Sequence, residues 1–156
     1  MTDFVTNRLE VEGPKEEREK LASFLSPFVF EKIIPLPSDV EDEGEWCSQI
    51  WGTPCEPKNW EEEGEPIYLE EEDGMNWHVC YFDTSWDPPN GIIEKLSQDY
   101  PLLKFTLYYF DPALERAGYV SFKDSEEVDS NFAEEWDVEE ICALSPFHEA
   151  FRDYLE

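Results

Sequence analysis

Residues 79–109 constrain the fold of this chain more than any other stretch. Apolar residues occupy both alternating sets of positions over 76–82, which predicts a strand in the interior of a sheet. A Trp-Asp-Pro-Pro corner follows at 86–89, where Asp87 is predicted to cap a helix that has the prolines in its first turn. Helical spacing of the apolar residues then gives way to alternation over 104–109. The stretch therefore predicts a strand, a helix and a second strand in succession.

The preceding part of the chain predicts a similar unit. Residues 4–12 alternate apolar and charged side chains, which is typical of a strand with one buried face. Gly13-Pro14 opens a predicted helix that ends at Pro27. Residues 28–37 contain two prolines that cannot donate hydrogen bonds to a neighbouring strand, so an extended connector is predicted there. A further strand is predicted over 118–122.

Two segments differ in character from this framework. Residues 38–73 combine acidic clusters with aromatic residues, and short strands are predicted within 51–60 and over 67–69. The segment after Lys123 is predicted to be helical, because two of its large aromatic residues are four positions apart. We interpret these segments as an acidic insertion and an acidic extension of one domain.

The order of the predicted elements favours an α+β fold of the ferredoxin-like, split βαβ type. An antiparallel sheet with two helices on one face is expected. With 156 residues, a single domain is the expectation. Its core would span residues 1–123, including the insertion at 38–73, and the acidic helical extension would span 124–156.

Several short pieces of sequence resemble one family. The pieces are Asn7–Gly13, Phe30–Pro37, Trp51–Thr53, Phe82–Pro89, Pro101 and Gly118. They resemble the YubB-type ferredoxin-like proteins of bacteria, plasmids and phages, over residues 5–123. The resemblance implies the fold and a bacterial or mobile-element origin. The family is largely of unknown function, so the resemblance gives no catalytic residues to carry over.

The charge of the chain excludes several classes of function. The sequence has 39 acidic and 11 basic residues, for a formal net charge of −28. Direct binding to nucleic acid or to an anionic membrane needs lysine and arginine, so neither is expected. No run of about 18 apolar residues and no signal segment is present, which predicts a cytoplasmic protein.

Most of the negative charge lies in the two added segments. Residues 38–73 contain 14 acidic residues and one basic residue, and residues 124–156 contain 12 acidic residues and one basic residue. One interpretation is an acidic surface that binds a basic protein partner. That partner could be a host protein that binds nucleic acid, because the carboxylates would mimic the phosphates of the nucleic acid. The other is a solvated surface that keeps an aromatic-rich protein monomeric. The candidate partner-binding residues are Glu61, Glu62, Glu63, Glu70, Glu71, Glu72, Asp73, Glu134, Glu135, Glu139 and Glu140.

The corner after residue 82 has two interpretations as well. It would form a small-ligand or enzymatic pocket if Asp83, Thr84, Trp86 and Asp87 converged. Alternatively, Asp87 and the prolines start a helix and Trp86 closes the end of the sheet. A catalytic reading would require His78 to meet Asp83. No catalytic residue is predicted.

Metal binding has little support in the sequence. Cys47, Cys55, His78 and Cys80 are permitted zinc ligands, but their spacing fits no zinc pattern. An EF-hand register starting at Asp39 would put Ile50 where a glutamate is required. We therefore predict no metal and no cofactor, and we expect the cysteines to be reduced thiols.

Overall fold

A computed structural model of the chain describes residues 4–25, 28–57, 70–71, 77–111 and 116–134. Within these residues the chain forms six strands and four helices. No helix in this part of the chain is long and apolar enough to cross a membrane. In chain order the elements are β1 (Phe4–Glu12), α1 (Lys15–Phe24), α2 (Phe30–Ile33), α3 (Glu43–Ile50), β2 (Glu70–Glu71), β3 (Trp77–Ser85), α4 (Asn90–Asp99), β4 (Lys104–Asp111), β5 (Arg116–Lys123) and β6 (Glu126–Glu134).

The strands form one antiparallel sheet in the order β2-β3-β1-β4-β5-β6. The first four strands of this order, with α1 following β1 and α4 joining β3 to β4, form the split βαβ arrangement. The predicted ferredoxin-like fold is therefore confirmed. β5 and β6 extend the sheet beyond β4.

The hydrophobic core lies between one face of the sheet and the helices. Leu9 and Val11 on β1 point into it, as do Phe105 and Leu107 on β4. All four helices contribute buried residues to the same cluster, so they share this face of the sheet. Helix α4 supplies its most regular apolar stripe, because Ile92, Ile93 and Leu96 recur at helical spacing and are fully buried. We call the face of the sheet that packs against the helices the helix face, and the opposite face of the sheet the far face.

A two-residue turn at Asp124 and Ser125 joins β5 to β6. Both residues have positive φ angles, 50° and 69°, as a tight hairpin turn of this length requires. The backbone N–H of Ser125 donates to Oγ of Ser97, which ties the turn to α4 at 3.0 Å. Because residues 126–134 pair with β5, the prediction of a helix directly after Lys123 is wrong for this part. The rest of the predicted extension, 135–156, lies outside the described residues.

The pairing of β5 with β6 contains one bulge. Ser121 is opposite Asp129 and Phe122 is opposite Glu127, so Val128 has no counterpart on β5. Val128 is 52% exposed. A bulge of this kind bends the strand locally and increases its twist.

Two other predictions for connecting segments are corrected. Residues 30–33 form the short helix α2 within the predicted extended connector, where two backbone N–H groups at its start are accepted by the Glu56 carboxylate at 2.5 and 3.0 Å. The described part of the predicted strand at 51–60 is a turn over 51–57 that follows α3. The strand predicted over 67–69 lies outside the described residues.

Candidate functional site

The corner after β3 is fixed by hydrogen bonds to its backbone. The N–H of Asp87 donates to the carbonyl oxygen of Ser85 at 2.8 Å, and Oγ1 of Thr84 donates to the carbonyl oxygen of Asp87 at 2.7 Å. Oγ1 of Thr84 also accepts from Nδ2 of the fully buried Asn7 at 3.0 Å. The polar side chain of Thr84 is therefore used to hold the corner together.

The turn after α3 holds the same corner from the other side. Oγ1 of Thr53 donates to the carbonyl oxygen of Ser85 at 2.6 Å. Gly52 has a φ of 98°, and a Cβ atom there would lie 2.8 Å from backbone atoms of Pro88 and Asn90. Indole Nε1 of Trp51 donates to the carbonyl oxygen of Ile34 at 2.9 Å. The Trp-Gly-Thr segment thus packs directly against the start of α4.

The helix after the corner begins later than predicted. Its first residue is Asn90, and Pro89 precedes it without a side-chain cap. The prediction that Asp87 caps this helix is therefore wrong. Asp87 and Trp86 instead lie at the surface, and Trp86 is 48% exposed with a φ of 67°.

The four residues of the predicted pocket do not all face one way. Successive side chains on a strand point to opposite faces. Thr84 is bonded to Asn7 on the helix face, whereas Asp83 accepts a hydrogen bond from the neighbouring Thr6 on the far face. Trp86 and Asp87 lie beyond the end of the strand. A pocket at this corner would have to form without Asp83.

A row of large polar side chains crosses the far face. The register places Arg8 of β1 between Tyr81 of β3 and Tyr108 of β4, and Tyr119 of β5 follows beside Tyr108. The rings of Tyr108 and Tyr119 have centroids 5.6 Å apart. Tyr119 donates its hydroxyl to Asp129 of β6 at 3.1 Å. We call Arg8, Tyr81, Tyr108 and Tyr119 the tyrosine row.

Arg8 is the centre of this row. Its Nη1 donates to the Tyr81 hydroxyl, and its Nε and Nη2 contact Oε1 of Glu10 at 3.1 and 3.0 Å. The guanidinium carbon also lies 5.2 Å from the centre of the Tyr81 ring. Burial, together with the nearby Glu10 carboxylate, raises the pKa of Tyr108 to about 12. The ionised form of Tyr108 is therefore disfavoured more than that of an ordinary tyrosine.

Asp83 has an unusual environment on the same face. Its Oδ1 is buried and has no hydrogen-bond partner among the described residues. Burial raises the pKa of its carboxyl group to about 6, although the hydrogen bond from Thr6 acts in the opposite direction. Asp83 therefore gains and loses its proton near neutral pH.

The buried histidine is separated from Asp83. His78 lies on the helix face, opposite Val11, and its Nδ1 is 3.3 Å from Nη1 of the buried Arg18. Arg18 is held in turn by the carbonyl oxygen of Gly13 at 2.9 Å. The convergence of His78 with Asp83 that a catalytic reading requires is therefore not found.

The cysteines of the described segments do not form a metal centre. Cys47 and Cys80 are buried and Cys55 is exposed, and none of the three forms a disulfide within the described residues. No group of three or more histidine, cysteine or acidic residues in this part of the chain has the arrangement of a metal site. Burial raises the pKa of the Cys47 thiol, which disfavours the reactive thiolate.

Comparison with known proteins agrees with the fold. A family model described as the ferredoxin-like domain in Api92-like protein matches residues 60–144, which is more than half of the chain. This chain belongs to the family of Api92-like ferredoxin-like domains. The resemblance to the YubB-type proteins is not confirmed by this comparison. Comparison with curated proteins found no match.

One solved structure similar to this Api92-like domain is the crystal structure of a protein api92 from Yersinia pseudotuberculosis. The two chains are 20% identical, with a TM-score of 0.50 over 65% of this chain. The likeness covers only 38% of the length of the Yersinia protein. At this level of identity the comparison supports the shared fold and assigns no activity.

The acidic residues proposed from the sequence lie mostly beyond the described part of this Api92-like domain. Glu70 and Glu71 form β2 at one edge of the sheet, and Glu134 ends β6 at the other edge. Five strand spacings separate these edges, or about 24 Å. The other candidates lie outside the described residues: Glu61, Glu62, Glu63, Glu72, Asp73, Glu135, Glu139 and Glu140.

Sequence reasoning missed the exposed acids that the hairpin presents on this domain. Asp124, Glu126, Glu127 and Asp129 are all exposed on the turn and on β6. The signal available was the density of acids directly after Lys123. The sequence analysis predicts a helix for this segment, and the residues of a helix would point in several directions. As an edge strand, the same residues lie along one border of the sheet.

Proposed function

We propose that this Api92-like domain is a non-enzymatic binding protein that presents acidic side chains to a basic surface of another protein. The observation that carries the proposal is the exposed acidic edge formed by Asp124, Glu126, Glu127 and Asp129, in a chain of net charge −28. We call these four residues the hairpin acids. A surface of one sign attracts a partner of the other sign and speeds its approach.

Lys123 lies opposite Glu126 in the pairing of β5 with β6, but three other basic residues are already paired with acids away from the hairpin. Arg8 contacts Glu10 on the far face at 3.0 Å. The ammonium groups of Lys20 and Lys95 lie 3.3 and 3.0 Å from acidic neighbours on α1 and α4 respectively. These pairs neutralise charge locally, which leaves the excess of acidic residues to set the potential at the surface.

Acids at the starts of α3 and α2 have a structural use, and one hairpin acid, Asp129, accepts the Tyr119 hydroxyl group. Asp42 accepts the N–H of Glu45 at 3.0 Å and so caps α3. The Glu56 carboxylate accepts the two N–H groups at the start of α2. By contrast, Glu126 and Glu127 lie at an exposed sheet edge, where a partner reaches them without disturbing the core.

A nucleic-acid-binding host protein is the partner class that this chemistry favours. Such proteins carry lysine and arginine arranged to meet about one phosphate charge per 1.7 Å of duplex axis. A dense array of carboxylates attracts the same surface. The affinity would therefore depend steeply on salt, as it does for contacts between such proteins and phosphates.

The test is capture of partners from a bacterial lysate by the immobilised chain, compared with a variant that lacks hairpin charge. In the triple variant Glu126→Gln, Glu127→Gln and Asp129→Asn, we expect loss of most of the basic nucleic-acid-binding proteins captured at about 0.05 M salt. A matched control removes three exposed charges elsewhere, through Glu16→Gln, Glu31→Gln and Glu94→Gln.

The control separates a local surface from a general effect of net charge. Capture that survives in the control and fails in the hairpin variant supports the proposal. Equal loss in both variants would contradict a local docking edge. Binding that persists at about 1 M salt would contradict an electrostatic contact altogether, since the Debye length there is about 3 Å.

A further inference from the structure

We propose that the far face of the sheet is a docking surface for a segment of the same chain, residues 145–156, which packs there as an amphipathic helix. The inference does not depend on the proposed function. It rests on the burial of side chains on the far face and on the sequence of the segment.

Phe110 of β4 is a large apolar residue on the far face. It is opposite Thr6 of β1 and lies two positions from Tyr108, so its ring points away from the helices. Phe110 is nevertheless 0% exposed, and Thr6 is 6% exposed. Neighbours within a sheet shield the sides of a ring but not its tip, because side chains stand nearly perpendicular to the sheet. A layer above the far face is therefore needed to bury this ring completely.

Burial on the far face is not confined to the position of Phe110. Arg8 on β1 is 7% exposed in spite of its long side chain, and Val79 on β3 is 5% exposed. Oδ1 of Asp83 is buried on the same face, and so is Ser121 on β5. The buried positions thus extend from β3 to β5, over three strand spacings or about 14 Å. The cover must be a segment of comparable length.

The described helices do not supply this cover, because all four contribute residues to the cluster on the helix face. The burial is that of a single chain, so a second molecule is not needed to explain it. The cover then comes from residues outside the described ranges. The two longest of these segments are 58–69, with 12 residues, and 135–156, with 22 residues.

The sequence of residues 145–156 has the pattern of an amphipathic helix. Ser145 and Pro146 are favoured as the cap and the first residue of a helix. At about 3.6 residues per turn, the hydrophobic residues of 147–156 fall on one side and the polar residues on the other. The hydrophobic side has Phe147, Ala150, Phe151, Tyr154 and Leu155, and the polar side has His148, Glu149, Arg152, Asp153 and Glu156.

The dimensions of such a helix match the far face. Twelve helical residues are about 18 Å long, compared with about 14 Å from β3 to β5. Residues 135–144 would connect the helix to the end of β6, and ten residues reach as far as about 33 Å when extended. With its hydrophobic side on the sheet, the helix would direct its acidic residues to solvent.

The other long segment, 58–69, has no comparable hydrophobic side. Its residues 61–65 contain four glutamates, and Gly64 and Pro66 disfavour a helix. Its aliphatic residues and tyrosine are consecutive at 67–69, where a strand would point them to opposite sides. Residues 145–156 are therefore the better occupant of the far face.

The test is hydroxyl-radical footprinting of the full chain, with oxidation at each residue measured by mass spectrometry. Phe110 and Phe105 are both fully buried on β4, but Phe105 lies on the helix face. In Phe151→Asp, a carboxylate would lie within the hydrophobic side of the helix and should release it from the sheet. We expect oxidation of Phe110 to rise several-fold, while oxidation of Phe105 stays as in the unchanged chain.

The matched control is His148→Asp, which introduces the same charge on the polar side of the helix. It should leave oxidation of Phe110 as it is in the unchanged chain. An equal rise of Phe110 oxidation in both variants would overturn the inference. Unchanged oxidation of Phe110 in Phe151→Asp would overturn it as well.

A second measurement needs no variant and decides the matter if Phe151→Asp unfolds, which equal oxidation of Phe105 and Phe110 would reveal. Nuclear Overhauser contacts are recorded in the unchanged ¹³C-labelled chain. We expect contacts from the ring of Phe110 or the methyl groups of Val79 to the rings of Phe147 and Phe151. Contacts of these far-face residues with 58–69 in their place would refute the proposed occupant.

Discussion

Gly91, in the first turn of α4, lies so close to the carbonyl group of Ile50 at the end of α3 that a Cβ atom at residue 91 would overlap the carbonyl oxygen. Beside this contact, the N–H of Ile92 donates to the carbonyl oxygen of Trp51 at 3.3 Å. The two helices are therefore joined backbone to backbone, in a space that admits no side chain.

Gly91→Ala should destabilise the protein strongly for this reason. We expect a loss of about 3 kcal/mol, since the neighbouring group is backbone and cannot turn aside. Denaturant unfolding measures the change. The control is Gly44→Ala inside α3, where the nearest atom to an added Cβ is Oδ1 of Asp42 at 3.6 Å. That change should stabilise by about 0.5–1 kcal/mol. Similar effects at the two positions would contradict the packing described.

Asp83→Asn should change how stability depends on pH. The folded-state pKa of Asp83 is raised to about 6 from an ordinary value of 3.8, so its contribution to stability is full below pH 3.8 and is lost as the pH rises through about 6. The variant should therefore be more stable than the unchanged chain at pH 8, by about 1 kcal/mol after allowance for solvent screening. Thermal melts from pH 4 to pH 8 test this. A stability difference that does not vary with pH would be inconsistent with the buried carboxyl group.

Ser125→Gly should stabilise the hairpin between β5 and β6. Ser125 has a φ of 69°, which glycine adopts without steric cost, and the backbone N–H that bonds to Ser97 is retained. We expect a gain of about 1 kcal/mol in the free energy of unfolding. Ser97→Ala, which removes the acceptor, should reduce stability by about 1 kcal/mol. A loss of stability in Ser125→Gly would show that the turn does not need the left-handed conformation.

Arg8 and Tyr81 should prove energetically coupled. A double-mutant cycle with Arg8→Met and Tyr81→Phe is expected to give a coupling energy of about 1–2 kcal/mol, because the Arg8 side chain is only 8% exposed and its guanidinium group bonds to the phenol directly. The control is the exposed pair of Lys20 and Glu17, 3.3 Å apart, where coupling should be below about 0.5 kcal/mol. Coupling as small in the first pair as in the second would show that the contact between Arg8 and Tyr81 does not stabilise the fold.

The parts of the fold that depend on local periodicity could be predicted from the sequence. Strands β1, β3 and β4 and helices α1 and α4 have clear alternation or helical spacing, and their order suffices to predict the ferredoxin-like arrangement. β6 could not be predicted in the same way. Its turn uses Asp124 and Ser125 in place of the Asn-Gly pair that marks such hairpins, and its aromatic spacing resembles that of a helix.

The candidate site was harder to predict, because it depends on the register and on backbone angles. The sequence shows that Asp83 and Thr84 are consecutive residues of a strand. Their side chains therefore point to opposite faces of the sheet, which argues against a shared pocket. The left-handed backbone of Trp86 was not, since tryptophan gives no signal for it. The tyrosine row brings together residues of four strands that are as many as 111 positions apart in sequence, from Arg8 to Tyr119, so only the pairing of those strands reveals it.

The bulge at Val128 has a consequence for the behaviour of many copies of the chain together. A second molecule that tried to add its own β6 to this border would meet a bent strand and carboxylates of the same sign, so the sheet is protected against growing from molecule to molecule. That protection depends on the charge of the edge, so high salt, which screens the carboxylates, is the condition that weakens it.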